Sequence, residues 1–262
     1  MNSNASPADP ASPAVVFIHG IGGNARIWGP QLASFAAAGF RPLAVDLPGY
    51  GTREPVDRMD FDMLAADVEA QVARLGLDRP IVLGHSMGGM VAQTLLRRGP
   101  QAWRAAVLSC TSPAFGDPTG KFQKKFVADR IAPLDAGHTM AQLAPAMVAS
   151  VSGSAPDPAG RKLAIETIAT TSERSYRAAV HCLVGFDERA NLPHIGVPVL
   201  CLAGEHDRLA PPAVMERMAA RIPAARYVCL QGVGHLPNIE APPAFDAAVL
   251  DFLRTALAPV AA

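Results

Sequence analysis

Six short apolar runs, at 15–18, 42–45, 81–83, 105–108, 199–202 and 226–230, recur along the chain as continuous stretches without polar alternation. A strand with one wet face alternates polar and apolar residues, whereas a strand covered on both faces reads as an unbroken apolar run. Between these runs, 27–38, 63–75, 86–98, 213–221 and 244–257 carry apolar residues at helical spacing. Strand and helix in alternation predict a doubly wound α/β fold: a mostly parallel sheet, here of six strands, with helices on both faces. At 262 residues, 50% of them hydrophobic, the chain can build the large core this requires.

The rhythm breaks between 113 and 186, where no strong strand run occurs and helical stretches appear at 122–131, 139–150 and 161–170. The expected organisation is an α/β core over 14–112 and 187–262, interrupted by a helical cap over 113–186. Such an insertion would lie over the C-terminal strand edge, where open α/β sheets bind ligands. The plainer alternative is a helical subdomain that only stabilises. Residues 1–13 are rich in Ser, Pro and Ala, lack the basic start and apolar segment of a secretion signal, and read as a disordered tail.

Lys and Arg number 23 and are balanced by 23 Asp and Glu, without a long basic run, which argues against nucleic acid as the main partner. No apolar stretch reaches the roughly 18 residues of a membrane span. Cys110, Cys182, Cys201 and Cys229 lack C-x-x-C spacing and fall mostly in apolar runs, as expected of buried free thiols in a reducing cytoplasm rather than metal ligands. The expected partner is a small-molecule substrate, with no cofactor, and the expected state is a monomer or small homo-oligomer.

The sharpest local signal is Gly84-His85-Ser86-Met87-Gly88, set between the third apolar run and a helical pattern. In that setting G-x-S-x-G forms a nucleophile elbow, a turn tight enough to need glycine neighbours. Ser86 would stand at the top of the sheet beside a helix N-terminus that favours negative charge. The same residues read alone make a βα turn whose serine caps the helix.

A serine hydroxyl needs a base and a group that orients the base. Gly204-Glu205-His206-Asp207 follows the fifth run and Gly232-Val233-Gly234-His235 the sixth, so Asp207 and His235 would share the sheet edge with Ser86. Glu205 is the alternative acid. His85 is tied to the elbow backbone, with its side chain directed away from the serine hydroxyl. Asp46 reads as a loop-shaping residue. Oxyanion donors would be the N–H groups of Met87 and of Ile21, in the glycine-rich loop His19-Gly20-Ile21-Gly22-Gly23.

These segments, together with Trp28, Asp46-Leu47-Pro48-Gly49-Tyr50-Gly51 and Gly234-His235 followed by Glu240-Ala241-Pro242, resemble the α/β-hydrolase superfamily. The resemblance is to compact, capped cytoplasmic members: 3-oxoadipate enol-lactonases, small carboxylesterases, C–C hydrolases of ring-cleavage products and cofactor-free haloperoxidase-like esterases. It spans nearly the whole chain outside the insertion. It implies Ser86 as nucleophile, His235 as base then acid, Asp207 as its partner, and Ile21 and Met87 as oxyanion donors. The family's usual extra N-terminal strands have no counterpart ahead of Val15.

The reaction so implied is hydrolysis of a small ester or enol-lactone through an acyl-enzyme. The oxyanion loop lacks the Gly-Pro-Gly of C–C hydrolases, which disfavours that alternative. Perhydrolase chemistry and a non-catalytic ligand receptor are the other options. Substrate choice would rest with the insertion, where Lys121, Lys124, Lys125, Arg130, Arg174 and Arg177 are candidates to meet a carboxylate, and with Trp28, which either walls the pocket or packs in the core.

Overall fold

The computed structural model describes residues 12–117, 119–223 and 225–258. The tail expected over 1–13 lies, up to residue 11, outside the described residues. Strands β1 (Ala14–Ile18), β2 (Arg41–Val45), β3 (Ile81–His85), β4 (Ala106–Ser109), β5 (Val199–Gly204) and β6 (Ala225–Leu230) form one sheet in the order β2-β1-β3-β4-β5-β6. Every neighbouring pair is parallel. Each apolar run of the sequence supplies one strand.

Because side chains alternate across a strand, each run divides between two cores. Val16, Ile18, Val82, Leu108 and Cys201 face the core closed by α2 (Phe61–Arg74), α3 (Met87–Arg98) and α8 (Pro212–Ala219). Phe17, Ile81, Leu83, Val107 and Leu202 face the other, closed by α1 (Gly29–Ala37) and α10 (Pro242–Ala256). Helix α2 begins at Phe61 rather than Met63 because the Asp60 carboxylate accepts from Met63 N–H at 2.7 Å and caps the first turn. Likewise α1 begins at Gly29, after a 3₁₀ turn over Ala25–Trp28.

From β1 the chain first steps outward to β2, then returns to place β3 on β1's other side. The loops after β1 and β3 therefore part toward opposite faces and leave a crevice between them, the switch point where ligands enter such sheets.

Among the described residues, four α-helices separate β4 from β5: α4 (Lys121–Asp135), α5 (Met140–Val151), α6 (Pro158–Ala169) and α7 (Glu173–Leu183). The last goes beyond the expected stretches, although Tyr176, Ala179, Val180 and Leu183 have the i, i+3, i+4, i+7 spacing of its buried face. An antiparallel bridge between Ala114 and Asp187 joins the two ends of this insertion. Between β6 and α10 lies the short α9 (Pro237–Glu240). Among the described residues, no helix is long and apolar enough to cross a membrane.

Candidate active site

Strand β3 ends at His85 and α3 begins at Met87, so Ser86 alone makes the turn, at φ 53° and ψ −118°. That left-handed φ costs a non-glycine residue on the order of 1–2 kcal/mol and must be imposed by the surroundings. They do so through Ser86 N–H, which donates to the Ser109 carbonyl at 2.9 Å, and Ser86 C=O, which accepts from Thr111 Oγ1 at 2.8 Å. A side chain on Gly84 would strike the Gly88 carbonyl, and one on Gly88 would strike the carbonyls of Ile18 and His19. Here the two glycines are a steric requirement.

Asp207 follows β5 and His235 follows β6, and both are buried. Asp207 Oδ1 accepts from Leu209 N–H at 2.8 Å and Ala210 N–H at 3.0 Å, while Oδ2 lies 2.8 Å from His235 Nδ1. His235 Nε2 in turn lies 3.0 Å from Ser86 Oγ. Burial alone would raise the Asp207 carboxyl's pKa. The His235 imidazole and the two backbone donors outweigh it and hold the group below the usual carboxylate range. An ionised Asp207 only accepts, so His235 must carry its proton on Nδ1 and present the Nε2 lone pair to the serine.

The imidazole is fixed from behind as well. His85 Nε2 donates to the His235 carbonyl at 2.7 Å, and burial lowers the His85 pKa to about 3, which keeps this ring neutral. His235 N–H donates to the Val151 carbonyl at 2.8 Å. The buried Glu240 carboxylate accepts from Gly234, Leu236 and Gly153 N–H groups at 2.9, 2.8 and 2.6 Å. One side chain thus clamps the histidine loop to the insertion.

Opposite, Gly23 N–H closes a turn on the Gly20 carbonyl at 3.1 Å, and the Gly22 carbonyl is held by Thr171 Oγ1 at 2.9 Å. Ile21 N–H has no acceptor among the described residues, and neither does Met87 N–H, which opens α3. His19 secures the loop: it bonds the Gly20 carbonyl through Nδ1 and accepts Leu47 N–H on Nε2 at 3.1 Å, its pKa lowered by burial to about 4.

Other sequence candidates lie elsewhere. Glu205 is exposed and accepts from Gly232 N–H at 2.7 Å, so it shapes the histidine loop without reaching the imidazole. Trp28 is fully buried against Phe17 and Phe245 and does not line the cavity. Its 3₁₀ turn carries the indole down onto the sheet face, which corrects the expectation of a pocket wall. Met87 likewise buries its side chain in the core and offers only its backbone. Asp46 accepts from Ala25 N–H and receives the Arg53 guanidinium on its carbonyl, a loop-shaping role.

A cavity of about 340 Å3 opens above Ser86 and His235, walled by Ile21 and Met90 from the core and by Phe122 and Phe126 from α4. The alpha/beta hydrolase fold family model matches residues 13–242. The chain belongs to that family. The pimeloyl-(acyl-carrier protein) methyl ester esterase of Sodalis glossinidius is 29% identical to this alpha/beta hydrolase over 263 residues, covering 91% of this chain and 92% of its own. BpoC of Mycobacterium tuberculosis, provisionally named a non-heme bromoperoxidase, is 29% identical over 254 residues, with 92% and 94% covered. The enol-lactonase of Burkholderia xenovorans LB400 superposes with a TM-score of 0.80 at 28% identity, over 92% of this chain and 91% of that one.

The hydrolase also buries Cys110 behind Asp207 and His235, their ligand-type atoms all within 4.8 Å of one another. Burial raises the Cys110 thiol's pKa well above its ordinary value, so it stays protonated, and the other two groups are already bonded to each other. That set suits the hydrogen-bonded pair better than a cation. Two supports had no distinct signal in the sequence: Thr171, whose partner Gly22 lies 149 residues away, and Thr111 beneath the elbow. Glu240 stood inside a motif, but its three backbone donors come from two segments.

Proposed function

We propose that this alpha/beta hydrolase cleaves a small carboxylic ester or lactone through an acyl-enzyme on Ser86. The unbroken hydrogen-bonded chain Asp207–His235–Ser86 carries the reading. In the first half-reaction, Ser86 Oγ attacks the carbonyl carbon while its proton passes to His235 Nε2, and Asp207 stabilises the imidazolium. The Ile21 and Met87 N–H groups take the negative oxygen of the tetrahedral intermediate, each contributing on the order of 3 kcal/mol to lowering the barrier. Collapse expels the alcohol, which leaves with the proton from His235. Water then gives its proton to His235, attacks the acyl carbon, and releases the acid and free Ser86.

The cavity volume fits a small molecule. The esterase and enol-lactonase among the relatives support the same bond type. The test is Ser86→Ala assayed on 4-nitrophenyl butyrate. The expected outcome is a loss of about 10⁴-fold or more in kcat with an unchanged circular dichroism spectrum, and full activity in that variant would refute the reading. A second reading, perhydrolysis, rests on the BpoC relative: peroxide would replace water in attacking the same acyl-enzyme. Formation of peracid from a short carboxylic acid and peroxide would support it.

A further inference from the structure

The cations of the insertion are not alike in their pairing. Lys125 lies 2.8 and 2.9 Å from the two carboxylate oxygens of Asp129. Arg174 is forked onto Asp57, and Arg177 reaches both Glu173 and Asp135. Arg130, like Lys121, Lys124 and Arg161, makes no ion pair or side-chain hydrogen bond among the described residues, but of these four it alone lines the cavity. Its guanidinium carbon sits 3.5 Å above the Phe126 ring, half-buried, and it lines the same cavity as Ser86 and His235. Burial pulls its pKa below the ordinary arginine value, by more than the nearby Tyr176 and Asp129 restore. Stacking on an aromatic face orients the guanidinium plane and leaves its N–H fork open to an anion.

The rest of the lining agrees. Phe115, Phe126, Met90 and Leu183 make the cavity wall apolar, and Arg208, unpaired among the described residues, joins the rim from the loop after Asp207. The carboxylate in the lining, Asp129, is exposed and paired with the likewise exposed Lys125. A ligand matching this lining has a reactive carbonyl at one end, an apolar spacer and a negative charge at the other.

We propose that Arg130 is a specificity residue whose guanidinium holds the free carboxylate of an anionic acyl substrate, so that the cavity prefers monoesters of short dicarboxylic acids, or lactones bearing a carboxylate, over neutral esters. This rests on the Ser86 acyl-transfer reading for turnover. Arg130 itself touches no reacting bond.

The experiment compares kcat/KM for 4-nitrophenyl monoglutarate and 4-nitrophenyl pentanoate, which share an acyl chain length and differ in the terminal charge. The wild-type protein should prefer the monoglutarate. In Arg130→Gln the anionic-to-neutral ratio should fall about 10- to 100-fold, mostly through KM, as expected for loss of a charge-assisted hydrogen bond. Arg130→Lys, which retains charge without the fork, should fall between. Calorimetric binding of free glutarate to the Ser86→Ala protein should survive, and should weaken when Arg130→Gln is added. That arm needs no turnover, so it separates failure of this inference from failure of the serine reading. A wild-type enzyme indifferent to the terminal charge, or an Arg130→Gln protein that loses both esters equally as a stacking role alone would dictate, overturns the proposal.

Discussion

Helices α3 and α4 approach the same cavity from opposite sides and are built in opposite ways. Ten of the twelve residues of α3 are buried, and its first turn is locked to strands β1, β3 and β4 through Ser86, Gly88 and Thr111. Only Gln123 and Leu134 are buried among the fifteen residues of α4, and Phe122 at its start is 67% exposed. The difference separates two demands. Bond cleavage needs donors and acceptors fixed to within a fraction of an ångström, which backbone bonds in a packed interior supply. Substrate choice needs only shape and charge, which a lightly buried helix can carry.

On that division, damage to the sheet edge should strike all substrates alike, and damage to α4 should change their ranking. The strongest effect should come from Asp207→Asn. It leaves the geometry but removes the charge that sets the His235 tautomer, and should lower kcat about 10⁴-fold for anionic and neutral esters equally. Glu205→Gln should retain most activity, and the reverse pattern would name Glu205 as the acid.

Glu240→Gln should come next. One amide oxygen cannot replace a carboxylate that accepts three buried N–H groups, so urea unfolding should show a loss of about 3 kcal/mol together with reduced kcat. A neutral result would mean that the histidine loop is positioned without the insertion.

Acid should act through His19 and His85. Below pH 6.5 the unfolded chain protonates both rings, while burial keeps them neutral in the folded chain until about pH 4 and about pH 3. The unfolded state then binds more protons, so stability should drop as pH falls, by about 1.4 kcal/mol per unit for each histidine across those windows. Thermal melts between pH 7.5 and 4.5 would reveal this, and a flat profile would contradict it. The smallest effect should be that of Phe122→Ala: stability within about 0.5 kcal/mol of wild type, with KM shifted unequally among esters of different acyl length.

Much of the site was legible because its signals are local. Ser86 needed only a strand, a helix and two glycines, and Asp207 and His235 needed only their places after strand runs. Trp28 was open because an aromatic beside a loop can turn either way, and the 3₁₀ turn that buries it is a tertiary outcome. The role of Glu240 was hidden because acceptor and donors belong to separate segments. Helix α7 was readable from its spacing, yet its polar first turn masked it among the loops of the insertion.

The amino-acid order by itself determined the layered α/β architecture, the elbow and the succession of serine, acid and histidine. Periodicity and glycine sterics act between near neighbours, so they are written along the chain. Only the tertiary structure decided which carboxylate faces His235, what holds the imidazole from behind, and which unpaired insertion cation lines the cavity. Those outcomes depend on residues as far apart as Ser86 and His235, 149 positions along the chain and 3.0 Å in space. Hydrogen bonds and ion pairs form between whatever groups folding brings within about 3 Å, and that proximity is a property of the packed core.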